Sequence, residues 1–260
     1  MAARAIWKGR LQLGKEELAV KLYSAIEDRT VRFHLLHAKD RAPVEQHIVR
    51  KDTGKDVGKD DMRKAFALDR TTAVILEPED LEKLVPPESR DIEVTRFVAT
   101  SVLGDQWYDR PYFLGPDADD SDYFALAEAL ERKSVVGIAR WVMRKKRYVG
   151  ALTSTNGYLM LSTLRRADQV LSFSGIEPAR THAPAASELK LAQQLVSSIE
   201  SDFDPAAWTN EYRERLHQLI EAKARGEKIE PVKQKKKAAS ADLADSLRAS
   251  IAAVKEKKVA

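Results

Sequence analysis

The sequence predicts an α+β protein in which antiparallel strands fill most of the first 170 or so residues and helices follow them. Three observations support this prediction. Short segments near the N-terminus alternate apolar and polar residues, which is typical of strands with one buried face. Two apolar runs flank Asn156-Gly157, and Asn-Gly between such runs indicates a β-hairpin. Beyond residue 186 the apolar spacing changes to three and four, which indicates amphipathic helices.

Composition limits the class of protein before any motif is considered. The chain has 260 residues, 43% hydrophobic and 32% charged, which is enough for a core of its own. It has no cysteine, which excludes disulfides, a thiol nucleophile and a thiolate metal site. No apolar run approaches the roughly 18 residues of a membrane span, and the N-terminus lacks the apolar centre of a signal peptide. We expect a soluble, cytoplasmic protein that does not contact a membrane.

The N-terminal third is predicted to contain strands separated by one weak segment. Alternation predicts strands at 5–13, 18–23 and 31–36. Residues 38–61 hold few apolar side chains, so they are either a disordered loop or a projecting arm that something else orders. The elements predicted after it are a short helix at 60–66, a strand at 73–76, a helix at 77–84 and a strand at 92–98.

An aromatic cluster, a helix and a hairpin region occupy the middle of the chain. Residues 107–114 contain four aromatic side chains, which most often marks a core and sometimes an interface. Ser121 precedes an amphipathic helix predicted at 122–133. Apolar runs predict strands at 135–143, 148–152 and 158–161, with the four cations Arg144, Lys145, Lys146 and Arg147 at the first turn and Asn156-Gly157 at the second.

Two helices are predicted in the C-terminal region, after a connector at 174–186. Ser187 can cap the first helix, and Asp204-Pro205 predicts the start of the second, which Gly226 ends. The second helix carries an apolar stripe of Trp208, Tyr212, Leu216 and Ile220, with Arg213 and Arg215 beside it. We therefore divide the chain into a body at 1–186, a helical C-terminal arm at 187–226 and a basic, flexible, Lys-rich tail at 227–260.

Positive charge is concentrated in two places, although the net charge is only +4. Residues 137–170 hold seven Lys/Arg and one acid. Residues 226–260 hold nine Lys/Arg and five acids, which leaves residues 1–225 neutral, with 35 charges of each sign. Such a body can bind a polyanion only by segregating its cations. A solvated surface has the same features, so charge alone leaves both interpretations open. The candidate phosphate contacts are Lys39, Arg41, Arg50, Lys51, Lys55, Arg144, Lys145, Lys146, Arg147, Arg165, Arg166, Lys233, Lys235, Lys236 and Lys237.

No arrangement of residues indicates a catalytic or metal site. The acid-rich stretch 117–122 lacks the Gly and final Glu of an EF-hand loop, and it precedes a helix, whose first turn favours acids. His34 and His37 would point to opposite faces of a strand. The sequence has no phosphate-binding Gly-rich loop, Gly-x-Ser-x-Gly elbow or His-Glu-x-x-His helix. We expect a protein without catalysis or cofactor and keep an unrecognised hydrolase as an alternative.

Segments spread over nearly the whole chain resemble one known family. They are Ala-Ile-Trp-Lys-Gly at 5–9, Val-Lys-Leu-Tyr-Ser-Ala at 20–25, Phe-His-Leu-Leu-His at 33–37, Asp-Arg-Pro-Tyr-Phe-Leu-Gly-Pro-Asp at 109–117, Gly-Ile-Ala-Arg-Trp-Val-Met-Arg at 137–144, Leu-Arg-Arg-Ala-Asp at 164–168, Glu-Leu-Lys-Leu-Ala at 188–192 and Tyr-Arg-Glu-Arg-Leu at 212–216. Their order and spacing resemble bacterial Ku, the DNA end-binding factor of non-homologous end joining. The chain departs from the family at Lys64-Ala65-Phe66, where the family usually has a Lys-Gly-aromatic ending and, in the same segment, a cysteine.

The resemblance implies a homodimer in which each subunit contributes an antiparallel β-barrel and a projecting arm at about 38–64. The two arms would close a ring around double-stranded DNA ends in the nucleoid, without catalysis. It further implies that the C-terminal region recruits an ATP-dependent DNA ligase, for which Trp208, Tyr212, Arg213 and Arg215 are the nearest match. A helix packed on a barrel would explain the same apolar stripe, and a basic RNA-binding β-barrel protein is the alternative function.

Overall fold

The structure is a computed structural model that describes residues 4–117, 121–172 and 183–226. It divides into two compact units, residues 1–172 and 173–260. The strands are β1 Trp7–Leu13, β2 Glu16–Ser24, β3 Lys64–Ala67, β4 Ala73–Leu76, β5 Asp91–Ala99, β6 Tyr108–Pro116, β7 Val135–Met143, β8 Lys146–Thr155 and β9 Tyr158–Leu164. The α-helices are α1 Pro78–Glu82, α2 Ser121–Lys133, α3 Ala186–Ile199 and α4 Glu211–Ala224.

Seven strands of the first unit form a closed barrel in the order β1-β2-β6-β9-β8-β7-β5. Every neighbouring pair is antiparallel except β1 and β5, whose parallel pairing closes the barrel. The predicted strands at 5–13, 18–23 and 92–98 are confirmed within this barrel, as are the three strands at 135–143, 148–152 and 158–161. Closure removes the free strand edges that an open sheet of this size would expose.

Alternation along the strands directs one set of side chains into the barrel. Leu11, Val20, Leu22 and Leu161 are fully buried there, while charged residues occupy the intervening outward positions. Trp141 also points inward and stacks on Tyr148 of the neighbouring strand, with ring centroids 5.4 Å apart. Together these side chains form the main hydrophobic core of the protein.

Close packing around Trp141 requires a glycine on the neighbouring strand. A Cβ added to Gly150 would lie 2.6 Å from the Trp141 ring and 2.6 Å from the backbone oxygen of Ser162. The second of these atoms belongs to a paired strand and cannot move aside. Gly150 therefore allows β8 and β9 to pair beneath the indole.

Helix α2, predicted at 122–133, packs mainly on β8 and is anchored by one buried hydroxyl. Tyr123, only 1% exposed, donates from its hydroxyl to the Leu114 oxygen and accepts from the Leu159 backbone nitrogen at 2.8 Å. Burial raises the pKa of Tyr123. The hydroxyl satisfies backbone groups of two strands that the helix would otherwise leave without a partner.

The segment between β2 and β5, residues 25–90, contains no buried residue. Its β3 and β4 pair as a separate two-stranded sheet, and α1 follows them. The strand predicted at 31–36 is wrong, because these residues form only one isolated bridge, Leu36 to Pro43, and have no neighbouring strand to pair with. Their apolar side chains stay exposed, Phe33 by 64% and Leu35 by 62%.

The helix predicted at 60–66 is also wrong. A 3-10 turn at Lys59–Asp61 is followed directly by β3. The guanidinium of Arg63 donates to the Asp60 oxygen at 2.7 Å and to Glu77 at 2.6 Å, so the side chain takes a carbonyl that a helix would have used. Residues 64–67 then pair with β4.

In the second unit the first helix, α3, begins at Ala186 rather than being capped by Ser187. The Glu188 carboxylate accepts from the Ala185 backbone nitrogen at 3.0 Å, which places Ser187 inside the first turn. The predicted connector lies mainly outside the described residues.

The second predicted helix is split at its start. Asp204 accepts from the Ala206 backbone nitrogen at 2.9 Å and holds a separate 3-10 turn at Pro205–Ala207. Asn210 then accepts from the Arg213 nitrogen at 3.0 Å and caps α4. Trp208 therefore lies before the helix and does not continue its apolar stripe. Among the described residues, no helix is long and apolar enough to cross a membrane.

Candidate nucleic-acid interface

The turn between β7 and β8 is cationic and has an unusual backbone. Arg144 and Lys145 form it with φ angles of 50° and 62°, so two non-glycine residues occupy the left-handed region. The structure refines the predicted four-cation turn, because Lys146 and Arg147 belong to β8. A two-residue hairpin turn with positive φ at both positions normally carries Asn-Gly, as at Asn156-Gly157. The chain thus places cations where the backbone favours other residues.

These hairpin cations have no acidic partners within the described part of the chain. The side chains of Arg144, Lys145, Lys146 and Arg147 are all exposed and make no ion pair or hydrogen bond there. Three cations elsewhere on the barrel have acidic partners: Lys21 lies 2.5 Å from Asp117, Arg10 lies 2.6 Å from Asp91, and Arg140 lies 3.2 Å from Glu93. Arg96 on β5 and Arg110 on β6 have no ion pair among the described residues. The hairpin is therefore distinguished by four adjacent cations that all lack an acidic partner.

Asp117 pairs with two cations of the barrel, Lys8 and Lys21. A hydrogen bond from Lys21, assisted by Lys8 at 3.1 Å, lowers the pKa of the Asp117 carboxyl, and the same contact raises the pKa of Lys21. The residue belongs to the acid-rich stretch 117–122, of which 118–120 lie outside the described residues. The first acid of this stretch, Asp117, therefore forms ion pairs with lysines of the barrel.

Three of the hairpin cations, Lys145, Lys146 and Arg147, line one concave surface together with Arg166. This surface, which we call the cationic groove, has a volume of about 600 Å³. Arg166 is exposed and its side chain has no described acidic partner, whereas its backbone nitrogen donates to Gln169 at 2.9 Å. Four predicted phosphate contacts from two separate parts of the sequence are thereby brought together.

Arg165 has a different environment from its neighbour. Its Nη1 donates to the backbone oxygens of Gln106, at 2.9 Å, and Tyr108, and its Nη2 lies 3.7 Å from Asp109. The guanidinium thereby fixes the turn that leads into β6. Of the predicted pair, Arg166 is available to contact a ligand, whereas the guanidinium of Arg165 is bound to backbone oxygens.

The predicted arm cations lie in two hydrogen-bonded loops, at 37–42 and 50–55. In the first loop the His37 nitrogen donates to the Ala42 oxygen at 2.8 Å, and in the second the Arg50 nitrogen donates to the Lys55 oxygen at 2.8 Å. Lys39 and Arg41 belong to the first loop. The second holds Arg50, Lys51 and Lys55, of which Arg50 is bound by Asp52 at 2.7 Å.

These two loops form an internal repeat of 13 residues, which the sequence interpretation missed. The bridge from Leu36 to Pro43 corresponds to the bridge from Val49 to Asp56, and the left-handed residue Arg41, with φ 60°, corresponds to Gly54, with φ 66°. Recurrent residue types at this spacing were the available signal, since His34, Leu35-Leu36 and Val44 match His47, Ile48-Val49 and Val57. Both loops carry cations, but at different positions of the repeat, since Lys39 corresponds to Asp52 and Lys51 corresponds to Ala38.

Metal binding has no support in the described residues, where no group of three or more His, Asp or Glu could hold an ion. His37 instead lies 2.6 Å from Asp40, and His47 lies between Glu45 and Asp56 at about 3.5 Å.

The four residues of the predicted partner surface on the C-terminal helices have different environments. Trp208 and Tyr212 are exposed, by 76% and 70%, while Arg213 is half-buried and Arg215 pairs with Glu211 at 3.0 Å. Phe203, which the sequence interpretation missed, is 74% exposed and its ring lies 6.3 Å from that of Trp208. Lys233, Lys235, Lys236 and Lys237 lie outside the described residues.

The fold defines a closed seven-stranded β-barrel with an exposed cationic hairpin, and comparison with known proteins identifies its family. A family model described as the Ku70/Ku80 beta-barrel domain matches residues 13–191. The chain belongs to the Ku family, which confirms the resemblance inferred from its sequence.

Curated relatives extend this match over most of the chain. "Non-homologous end joining protein Ku 2" of Geotalea uraniireducens is 36% identical over 229 residues, covering 88% of this chain and 89% of the relative. "Non-homologous end joining protein Ku" of Anaeromyxobacter is 34% identical and covers 98% of this chain and 87% of its own. The protein of the same name from Mycolicibacterium smegmatis is 35% identical, covering 86% of this chain and 72% of its own.

Proposed function

We propose that this protein binds the ends of double-stranded DNA, without sequence preference and without catalysis, and that it acts in non-homologous end joining. The observation that carries the proposal is the cluster of four unpaired cations in the cationic groove of a Ku-family barrel. Its relatives are named as proteins of non-homologous end joining. Lys and Arg side chains aimed at phosphates give affinity without reading bases, because the backbone is the same at every sequence.

The proposal includes a homodimer whose β2–β5 segments close a ring around DNA. Thirteen large apolar side chains between Ile26 and Val85 are exposed, which is more than a solvated loop of a monomer needs. A two-fold partner that covers them would complete the missing core, as in obligate homodimers. Light scattering at micromolar concentration tests this part, since a stable monomer of 29.2 kDa would contradict it.

Within such a ring, the cationic groove and the two repeated loops would contact the phosphate backbone. Lys39 and Arg41 in one loop, and Lys51 and Lys55 in the other, lie at exposed positions with no described ion pair. Competition between linear duplex DNA and duplex RNA of the same sequence tests the proposal, and a preference for RNA would contradict it.

The C-terminal helices are proposed to recruit an ATP-dependent DNA ligase. Phe203, Trp208 and Tyr212 support this role because large exposed aromatics are typical anchors of protein interfaces. Replacing Trp208 with Ala should weaken ligase pull-down and leave DNA binding unchanged. Retained pull-down after this replacement would remove the surface from the proposal.

A further inference from the structure

The cationic groove has more features than a contact to the phosphate backbone requires. Four apolar residues, Leu84, Pro86, Val149 and Leu164, line the groove together with the cations, and we call them the apolar wall. Leu84 is 79% exposed and Val149 is 39% exposed, so this wall is open to a ligand. Phosphates on the outside of a duplex offer nothing to pack against such a wall, so the groove is suited to a ligand with an apolar part.

Three polar residues, Asp109, Thr163 and Gln169, also line the groove, and hydrogen bonds hold them in place. The Thr163 hydroxyl, 5% exposed, accepts from the Arg110 nitrogen at 2.9 Å and donates to the Asp109 carboxylate at 3.2 Å. The Gln169 oxygen is used by the Arg166 backbone nitrogen, which leaves its amide nitrogen to donate. A carboxylate acceptor and an amide donor in the same groove can pair with the amino groups and ring acceptors of a nucleobase.

The size and charge of the groove narrow the class of ligand. A volume of about 600 Å³ falls in the range of small-molecule sites and exceeds the need of a lone phosphate. The four unpaired cations favour an anion, whereas Asp109 in the same groove disfavours an acidic peptide that presents several carboxylates. A single phosphate attached to a flat, hydrogen-bonding ring can contact the cations, the polar groups and the apolar wall.

We propose that the cationic groove binds one nucleotide, with its phosphate at Lys146 and Arg147 and its base against Val149 and Leu164. This chemistry has two sources, a free nucleotide or the unpaired terminal nucleotide of a broken DNA strand. The second source rests on the proposed end-binding function. The first does not.

The test for the groove itself uses the full chain and three probes, dAMP, deoxyadenosine and inorganic phosphate, titrated at low ionic strength by ligand-observed NMR. We expect dAMP to bind about tenfold tighter than either of the other probes, because only dAMP contacts both the cations and the apolar wall. The double variant Lys146→Gln/Arg147→Gln should weaken dAMP binding by about tenfold or more. Equal affinity for dAMP and phosphate would overturn the proposal.

A matched control removes the same charge elsewhere. Arg132→Gln/Lys133→Gln, at the end of α2 and outside the groove, should leave dAMP binding unchanged. Val149→Glu provides a second variant at an exposed position of β8, where a carboxylate would repel the phosphate without removing a cation. Thermal melting confirms that the variants fold. Unchanged dAMP binding in both groove variants would also overturn the proposal.

Two linear duplexes distinguish the sources, one with blunt ends and one with short single-stranded overhangs. If the terminal nucleotide is the ligand, the overhang duplex binds more tightly and Lys146→Gln/Arg147→Gln abolishes only that difference. Equal binding of both duplexes, with tight dAMP binding retained, identifies free nucleotide as the ligand. Failure of the unmodified protein to bind either duplex contradicts the proposed function, and the dAMP titration then decides the groove independently.

Discussion

Exchanging the two turns at the ends of β8 would separate the charge of the β7–β8 turn from its backbone geometry. Arg144→Asn/Lys145→Gly installs the residues that a turn with positive φ at both positions favours. Each of the two non-glycine residues in the left-handed region costs about 1 kcal/mol of stability. The new glycine offsets about 1 kcal/mol of this gain, because glycine loses more conformational entropy on folding. The free energy of unfolding should therefore rise by about 1 kcal/mol, which raises the Tm by roughly 2 to 4 °C.

DNA affinity should change in the opposite direction. If both cations contact phosphates as proposed, removing them makes the slope of log K against log salt shallower by about 2 units. The reciprocal variant, which also carries Asn156→Arg/Gly157→Lys, restores the net charge of +4 but moves both cations to the other end of β8. At roughly 3.3 Å per residue over its ten residues, that end is about 30 Å away.

Differential scanning calorimetry and salt-dependent fluorescence anisotropy on a linear duplex measure the two effects. We expect the first variant to gain stability and lose affinity, and the exchanged variant to lose affinity although its composition equals that of the parent. Full affinity in the exchanged variant would show that only total charge matters and would refute the assignment of the hairpin. An unchanged Tm in the first variant would refute the strain argument.

Three further predictions concern other parts of the chain. Tyr123→Phe should lower the free energy of unfolding by about 1 to 3 kcal/mol, because two buried backbone groups lose their partner. Tyr158→Phe, at an exposed position, should leave the free energy of unfolding unchanged, and urea unfolding measures both variants. Hydrogen bonds, chiefly from the Thr71 backbone nitrogen, lower the pKa of Asp69 to about 2, so its support of the β3–β4 turn should be complete above about pH 4 and disappear as the pH falls through 2; an NMR midpoint near 4 would contradict this. Removing residues 227–260 should make the salt slope shallower by roughly 3 to 4 units while preference for DNA ends persists, and an unchanged slope would show that the tail does not bind DNA.

Much of the barrel could be predicted from the sequence because its strands are short, alternating and joined by recognisable turns. Asn156-Gly157 specified one hairpin, and the apolar runs on both sides placed β8 and β9. The same alternation failed at 31–36. Alternation reports a two-residue period but not whether a neighbouring strand exists, and the described residues provide only one isolated bridge for this segment.

Local side-chain bonds explain the other differences. The sequence between Asp204 and Gly226 has the period of one long helix, yet Asn210 caps a new helix and separates Trp208 from the stripe. For the candidate site, the sequence predicted which cations cluster, but it could not distinguish Arg165, bound to two carbonyls, from Arg166, which lines the groove. Hydrogen bonds between residues distant in sequence are set by tertiary folding and leave no local pattern.

The most direct test of DNA-end binding compares a linear duplex with a covalently closed circle of the same sequence and length. A ring can thread onto a free end but cannot reach a closed circle, so the account predicts stable complexes on the linear form and only weak, salt-sensitive binding to the circle. Cutting the circle once should restore stable binding. Equal affinity for the linear and closed forms at physiological salt would contradict the central claim.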